Sequence, residues 1–339
     1  MCRHFAYVGE QVTIKSLLLD PQHSLAEQAW RPRMQRHGTM NVDGFGVGWY
    51  ADGDPVPARY RQAGPIWADD CLPDLARVTR TSAMLGAVRS ASVGTDTGAS
   101  SAAPYAEGSW LFSLNGALVG WSAAAGGSVT PRRKTAALAG AGLASAAPSE
   151  SALSAAAAAA EASGDPISEP SPQPPAISLD RASAAVLRLC RALPADELLR
   201  LQARCDTALI WALVLARLRA AEPPASALAG TVRDIWAAGG TGRFNLLLTD
   251  GEVIAATAAG DTLFWRRREG GVVVASEPSD DDPDWAKVPD DSVVEATAGR
   301  VAVWPIAAAT TAPGDGPPRG NGLPRGDGLS HGDGRSPTT

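Results

Sequence analysis

A segment of low sequence complexity divides this chain of 339 residues into two parts. Over about residues 122–178 the composition shifts to Ala, Gly, Ser and Pro, and the segment includes an alanine run at 155–160. Such a segment buries too little apolar surface to offset the loss of chain entropy on folding. We therefore predict a disordered or partly helical insertion, and one large folded domain built from the sequence on both sides of it.

The residue patterns outside this segment indicate an α+β domain. Alternating or short apolar runs predict strands at 2–8, 83–88, 244–249, 253–257, 262–267, 272–275 and 293–304. Helical spacing predicts helices at 14–19, 24–30, 72–80, 179–193 and 196–220. Asn115-Gly116 is predicted to be a tight turn between strands at 110–114 and 117–121. Because the helices are grouped and do not alternate with strands, the sheets are expected to be antiparallel.

Composition limits the partners and the location. The net charge of −6 argues against nucleic acid as a partner, because phosphate binding needs a concentrated basic face. The basic group at 266–268 is instead predicted to be a solvated strand end. The four cysteines lack Cys-x-x-Cys spacing, which fits a reduced cytoplasm and predicts neither a zinc site nor a disulfide framework. The longest strongly apolar run, 208–216, is far shorter than the ~20 residues of a membrane span, so no membrane partner is expected.

Two further patterns are weak signals. The glycine-rich stretch at 44–48 continues into a predicted strand, whereas a phosphate-binding loop opens a helix. The four histidines show no paired metal-ligand spacing. The tail over 314–339 has almost no core-forming residues and is predicted to be disordered.

Cys2 is the residue whose position most clearly indicates a chemical role. A cysteine after the initiator methionine is small enough for Met1 to be removed, which leaves a thiol and a free α-amino group on one residue. The amine, with a pKa near 7.7 to 8, takes the proton of a thiol with a pKa near 8.5 close to neutral pH. Cys2 is therefore a candidate nucleophile that carries its own base.

Three other positions supply what an amide-cleaving thiolate needs. Arg89 follows a predicted buried strand and is suited to bind a carboxylate. Asn115 and Gly116 offer a side-chain amide and a backbone N–H for an oxyanion hole, although a hairpin turn also explains the pair. Asp206 is suited to hold an ammonium group, with a helix-capping or solvent-facing aspartate as the alternative. Together these residues describe hydrolysis of a γ-glutamyl amide.

Several motifs in order resemble the class II glutamine amidotransferase-type N-terminal nucleophile (Ntn) hydrolases. The resemblance covers about residues 2–121 and 196–305 and rests on the sequence segments at 1–3, 41–50, 89–92, 112–116 and 205–207. Later segments at 244–251, 260–265 and 274–278 are similar to the ergothioneine-biosynthesis amidohydrolases, which act on γ-glutamyl hercynylcysteine sulfoxide. The resemblance implies a four-layer αββα sandwich with two antiparallel sheets. The catalytic domain would span 2–305, interrupted by the 122–178 insertion.

The resemblance also implies roles for individual residues. Cys2 would be the nucleophile, and Asn115 and Gly116 would bind the oxyanion. The α-carboxylate would bind to Arg89 and Ser92, and the α-ammonium would bind to Asp206. The implied substrate carries a trimethylammonium group, which aromatic faces hold well, and Trp30 or Trp110 is a candidate to line that pocket.

The expected activity is hydrolysis of the γ-glutamyl amide of γ-glutamyl hercynylcysteine sulfoxide, through a γ-glutamyl thioester on Cys2. Neither a metal nor an organic cofactor is expected to be needed, and the partner would be a small-molecule γ-glutamyl substrate. The sequence leaves two alternatives open. One is a glutamine hydrolase that supplies ammonia to a separate synthase, and the other is a non-catalytic scaffold that keeps the fold.

Overall fold

The computed structural model of the chain describes residues 2–92, 95–124 and 179–308. The predicted insertion lies outside these ranges from residue 125 onward, and so does the whole of the predicted tail.

Two antiparallel sheets form the centre of the fold. The first sheet has seven strands in the order β11-β9-β10-β1-β4-β2-β3, and the second has six in the order β13-β12-β8-β7-β6-β5. The strands of the first sheet are β1 (Arg3–Thr13), β2 (Phe45–Trp49), β3 (Ala58–Gln62), β4 (Arg80–Val88), β9 (Phe264–Arg268), β10 (Gly271–Ala275) and β11 (Ala286–Lys287). Those of the second sheet are β5 (Tyr105–Glu107), β6 (Trp110–Leu118), β7 (Gly242–Thr249), β8 (Ile254–Ala258), β12 (Ser292–Thr297) and β13 (Arg300–Pro305).

Helices cover the outer face of each sheet. They are α1 (Ile14–Leu18), α2 (Leu25–Trp30), α3 (Leu72–Val78), α4 (Trp121–Ala124), α5 (Leu179–Arg191), α6 (Ala195–Leu199), α7 (Asp206–Arg219) and α8 (Pro224–Ala237), with short 3-10 turns at Ile66–Ala68, Ala99–Ser101 and Ile306–Ala308. The first two begin at side-chain caps, because Thr13 and Ser24 accept hydrogen bonds from backbone N–H groups of the first turn. No helix in the described ranges is long and apolar enough to cross a membrane.

The alternation along β1 shows how four layers arise. Phe5 and Tyr7 point outward and pack with the helices α1 to α3, whereas Ala6 and Val8 point inward to the core between the two sheets. A third core lies between the second sheet and α7 and α8, where Phe112 stacks on Trp211 with ring centroids 4.9 Å apart. The predicted four-layer αββα sandwich is confirmed.

The predicted turn at Asn115-Gly116 is wrong. Both residues lie inside the continuous strand β6, where Asn115 is opposite Asn245 and Gly116 is opposite Phe244 of β7. A Cβ atom on Gly116 would overlap the carbonyl oxygen of Arg243, so the glycine permits a close approach of two strands. Strand pairing with β7 therefore outweighs the local turn preference of Asn-Gly.

Three other predictions need correction. The helix predicted at 196–220 is two helices, α6 and α7, and Cys205 between them is extended with a φ of −150°. The strand predicted at 293–304 is the hairpin of β12 and β13. Arg266 is not solvated, because it is buried and pairs with Asp280 at 2.7 and 3.0 Å. The sequence patterns also missed β3, β5, β11 and α8.

Candidate active site

Cys2 lies directly before β1, the central strand of the first sheet. Its thiol is half-buried, forms no disulfide, and lies 4.0 Å from the carbonyl oxygen of Ser90. The thiol opens into a small cleft, whose lining residues are Cys2, Ala87, Val88, Arg89, Ser101, Ala103, Tyr105, Ser113, Leu114 and Thr207. The structure therefore brings Cys2 and Arg89 to one cleft, and the neighbours of Asn115 and Asp206 in the chain line it as well.

Arg89 is held rigidly at the end of β4. Its backbone N–H donates to Gly44 O at 2.8 Å, and only 8% of the residue is exposed. The guanidinium donates to Asp96 O at 2.8 Å and to Thr95 Oγ1 at 3.1 Å. Within the described ranges no carboxylate forms an ion pair with Arg89, so this buried cation can accept an anionic ligand.

Asp206 is the first residue of α7 and is 6% exposed. The backbone N–H of Leu118 donates to its Oδ2 at 2.9 Å, and the N–H of Thr207 donates to its Oδ1 at 2.9 Å. Burial raises the pKa of Asp206, and the two backbone hydrogen bonds and the charge of Arg89 oppose that shift. The solvent-facing alternative for Asp206 is therefore wrong, and the side chain is a buried acceptor.

Tyr105 is a fully buried core residue next to the two charged groups in the fold. Its hydroxyl lies 3.0 Å from Cys205 Sγ, directly before Asp206, and burial raises the pKa of Tyr105. Arg89 and Tyr105 line the cleft together, and so does Thr207, the residue directly after Asp206.

Asn115 is fully buried and faces the first sheet. Its Nδ2 donates to Ser276 Oγ at 3.3 Å, which is the only hydrogen bond of this side chain in the described ranges. Ser276 Oγ also accepts from the backbone N–H of His4 at 3.1 Å. An amide nitrogen has two hydrogens, so the second remains available to another acceptor.

A buried ion cluster behind Cys2 was not predicted. Arg3 is fully buried, and its Nη1 donates to the carbonyl oxygen of Cys2 at 3.2 Å. Its guanidinium lies 3.3 Å from Glu277 Oε2 and 3.9 Å from Asp261 Oδ2. Burial lowers the pKa of Arg3, and the two carboxylates oppose this. The sequence signal was available, since Arg3 alternates with Phe5 and Tyr7, the two apolar residues of β1 that pack against the helices.

Glu277 extends this cluster to the segment after α2. Its Oε1 accepts from the backbone N–H of Arg33 at 3.1 Å, and its Oε2 accepts from that of Met34 at 2.8 Å. The ion cluster therefore fixes the carbonyl of Cys2 and an adjoining loop at the same time.

His4, one of the four histidines without paired metal-ligand spacing, is also buried. Desolvation and then the charge of Arg3 lower the pKa of His4 to about 3. Its Nδ1 lies 3.1 Å from Ser113 Oγ. The imidazole is therefore neutral at physiological pH and part of the packed interior.

The remaining predicted residues do not line the cleft. Ser92 is exposed, and its carbonyl accepts from Thr95 Oγ1 at 2.8 Å. Trp30 is 47% exposed at the end of α2. Trp110 packs against the core under α7 and α8 and is about 17 Å along β6 from Asn115. Within the described residues, no three His, Cys, Asp or Glu side chains are grouped as metal ligands.

Comparisons with known proteins identify relatives over most of the chain. No family model matches. The chain is 32% identical over 297 residues to the γ-glutamyl-hercynylcysteine sulfoxide hydrolase of Mycobacterium tuberculosis strain CDC 1551 / Oshkosh, covering 88% of this chain and 93% of that protein. It is 29% identical over 306 residues to the enzyme of the same name from Mycolicibacterium smegmatis, covering 90% and 100%.

Solved structures share the fold at lower identity. A glutamine aminotransferase class-II domain protein from Silicibacter pomeroyi has a TM-score of 0.52 at 18% identity, covering 90% of this chain and 99% of that one. The glutamine phosphoribosylpyrophosphate amidotransferase of Bacillus subtilis has a TM-score of 0.52 at 13% identity, covering 91% and 50%. These two likenesses concern the fold alone. With the identity to the mycobacterial proteins, they show that the chain belongs to the γ-glutamyl-hercynylcysteine sulfoxide hydrolase family, on the Ntn-type fold of class II glutamine amidotransferases.

Proposed function

We propose that this chain hydrolyses the γ-glutamyl amide of γ-glutamyl hercynylcysteine sulfoxide and releases glutamate and hercynylcysteine sulfoxide, a step of ergothioneine biosynthesis in the cytoplasm. The observation that carries the proposal is the cleft in which the thiol of Cys2 and the guanidinium of Arg89 meet. The names of the mycobacterial relatives support the substrate. Residues 2–305 would form the catalytic domain, interrupted at 122–178.

In the proposed mechanism, Met1 is removed and the α-amine of Cys2 takes the proton of its own thiol. The thiolate attacks the γ-carbonyl carbon, and the oxyanion accepts hydrogen bonds from Asn115 Nδ2 and the N–H of Gly116. The α-ammonium group of Cys2 then gives its proton to the leaving nitrogen as the C–N bond breaks, which leaves a γ-glutamyl thioester on Cys2. Water, deprotonated by the same amine, attacks the thioester and releases glutamate and the thiol.

Two charged residues of this chain would bind the two charged groups of the glutamyl moiety. Arg89 has no carboxylate partner among the described residues, and it would bind the α-carboxylate with help from Ser92. Asp206 is a buried carboxylate whose ionised form an α-ammonium would stabilise. We assign the trimethylammonium end of the substrate to Trp30, whose ring is partly exposed.

The test is glutamate release from γ-glutamyl hercynylcysteine sulfoxide and from glutamine, measured side by side. Mass spectrometry first establishes that Met1 has been removed. Cys2→Ala is the control, and it should abolish release from both substrates. A higher kcat/KM on the sulfoxide supports the proposal, and a higher kcat/KM on glutamine would identify a glutamine hydrolase instead. If neither substrate gives Cys2-dependent glutamate, the non-catalytic scaffold is the better description.

Trp30→Ala separately tests the assignment of the trimethylammonium end of the substrate to Trp30. The variant should weaken the sulfoxide reaction and spare simple γ-glutamyl amides. An equal loss on both substrates would remove Trp30 from the site.

A further inference from the structure

Arg243 occupies the position on β7 next to the proposed oxyanion site. It is opposite Ala117 of β6, and two residues farther along β7 Asn245 is opposite Asn115. Side chains at alternate positions of paired strands share a face of the sheet, so Arg243 lies on the same face as Asn115. The two strand positions are diagonal neighbours, about 7–8 Å apart. Because Asn115 faces the first sheet through Ser276, Arg243 belongs to that same interior edge.

The packing around Arg243 fixes its backbone and its stem. The carbonyl oxygen of Arg243 lies so close to Gly116 that a Cβ atom there would overlap it. The Cγ of Arg243 lies 3.1 Å from the position of a Cβ on Gly260, directly before the buried Asp261. The arginine therefore rests on the strand that carries the proposed oxyanion donors and on the turn next to the ion cluster.

The guanidinium of Arg243 has no anionic partner in the part of the chain that the structure describes. Its Nε is buried and makes no hydrogen bond. The buried arginines Arg3 and Arg266, in contrast, each pair with carboxylates. Burial and then the charge of Arg243 lower the pKa of His37, and the charge of Asp261 opposes that shift. A half-buried cation without a counterion carries a desolvation cost that an anionic ligand would offset.

The position of Arg243 relative to the cleft indicates which part of a substrate it would meet. Of the proposed partners of the glutamyl group, Arg89 lines the cleft together with Tyr105, and Asp206 directly follows Cys205, whose Sγ lies 3.0 Å from the Tyr105 hydroxyl. Arg243 lies on β7, which pairs with β6 on the edge opposite to β5 and Tyr105. In a γ-glutamyl α-amino acid the leaving group carries a carboxylate two bonds from the scissile nitrogen. Glutamine releases ammonia, which has no such group.

We infer that Arg243 binds the carboxylate next to the scissile nitrogen of the leaving group and makes the site selective for γ-glutamyl α-amino acids over glutamine. This inference rests on the proposed function, and it adds a specificity-determining residue on the leaving-group side.

The first experiment uses the wild-type protein and needs no variant. γ-Glutamylglycine and γ-glutamylmethylamide differ only in the carboxylate of the leaving group. A charge-assisted hydrogen-bonded pair predicts that kcat/KM is about 10- to 100-fold higher for γ-glutamylglycine.

The second experiment replaces the cation. Arg243→Met should lower kcat/KM on γ-glutamylglycine and on γ-glutamyl hercynylcysteine sulfoxide by about 10- to 100-fold. It should leave γ-glutamylmethylamide and glutamine within about twofold, and Arg243→Lys should restore part of the loss. Arg267→Met, on an exposed arginine of β9, is the matched control and should change none of these rates.

The outcomes separate this inference from the function on which it rests. Cys2-dependent hydrolysis with equal wild-type rates on the two small amides overturns the role of Arg243 alone. An Arg243→Met variant that loses activity equally on all substrates, or retains full activity on the sulfoxide, also overturns it. Absence of Cys2-dependent glutamate release from every substrate overturns both.

Discussion

The buried imidazole of His4 predicts a specific loss of stability in acid. The ordinary pKa of a histidine side chain is 6.5, and burial beside Arg3 lowers the folded-state pKa of His4 to about 3. At pH values between these two pKa values, the unfolded chain binds a proton at His4 that the folded chain does not. Unfolding therefore takes up protons, and the free energy of unfolding falls as the pH falls through this window.

The magnitude follows from the two pKa values. At pH 5 an unfolded histidine with a pKa of 6.5 is almost fully protonated and the folded one is neutral. Linkage then gives a loss of about 2 kcal/mol in the free energy of unfolding between pH 8 and pH 5. This figure changes little for any folded-state pKa below about 4, because at pH 5 the term is set by the unfolded state.

The measurement is urea unfolding of the wild type and of His4→Asn at pH 8 and pH 5. Asn keeps a polar group in reach of Ser113 Oγ but cannot titrate. The other ionisable groups contribute equally to both proteins, so they cancel in the difference. We expect the wild type to lose about 2 kcal/mol more than the variant over this interval. Equal losses would refute the reasoning, because His4 would then not be a neutral, buried group in the folded state.

Three further predictions concern the site and its support. Arg3→Met leaves two buried carboxylates without their cation, so urea unfolding should show a loss of about 3–5 kcal/mol in the free energy of unfolding. The control Arg267→Met removes an exposed arginine and should change this free energy by less than about 0.5 kcal/mol. Similar losses for the two variants would contradict the buried ion cluster. Gly116→Ala drives a methyl group into the carbonyl of Arg243, so it should lower the free energy of unfolding by about 1–3 kcal/mol. It should also lower the rate of glutamate release. An unchanged Tm would show that β6 and β7 are not so close at this position. Asp206 has a raised pKa and must be ionised to hold an ammonium group, so kcat/KM should fall as the pH falls through that raised value. Asp206→Asn should lower kcat/KM and remove this decrease from the acid side of the pH profile. A decrease that persists in the variant would assign the titration to another group.

The sequence by itself determined the local elements and the order of the chemical groups. The alternation at 2–8 predicts β1, and the caps Thr13 and Ser24 mark the starts of α1 and α2, because these signals depend on neighbours in the chain. The position of Cys2 next to the initiator methionine and the arginine after β4 also needed no tertiary information.

Where one local sequence signal is typical of two different structures, the sequence alone did not predict which of them forms. Asn-Gly is typical of a hairpin turn, but a glycine is equally required where two strands approach closely, as Gly116 does at Arg243. The choice between them depends on β7, which is more than a hundred residues away in the chain. The break between α6 and α7 depends likewise on distant contacts, since Asp206 accepts from Leu118 of β6.

Tertiary structure alone decided which charged groups are buried. Arg3 and Arg266 have the same residue type as the exposed Arg267, and only their partners distinguish them. Glu277 is brought to Arg3 by the fold of the first sheet, whereas Asp280 reaches Arg266 from the loop after β10. A charge can be buried only where an opposite charge or a set of donors compensates its desolvation, and those groups come from elements that a local pattern does not connect.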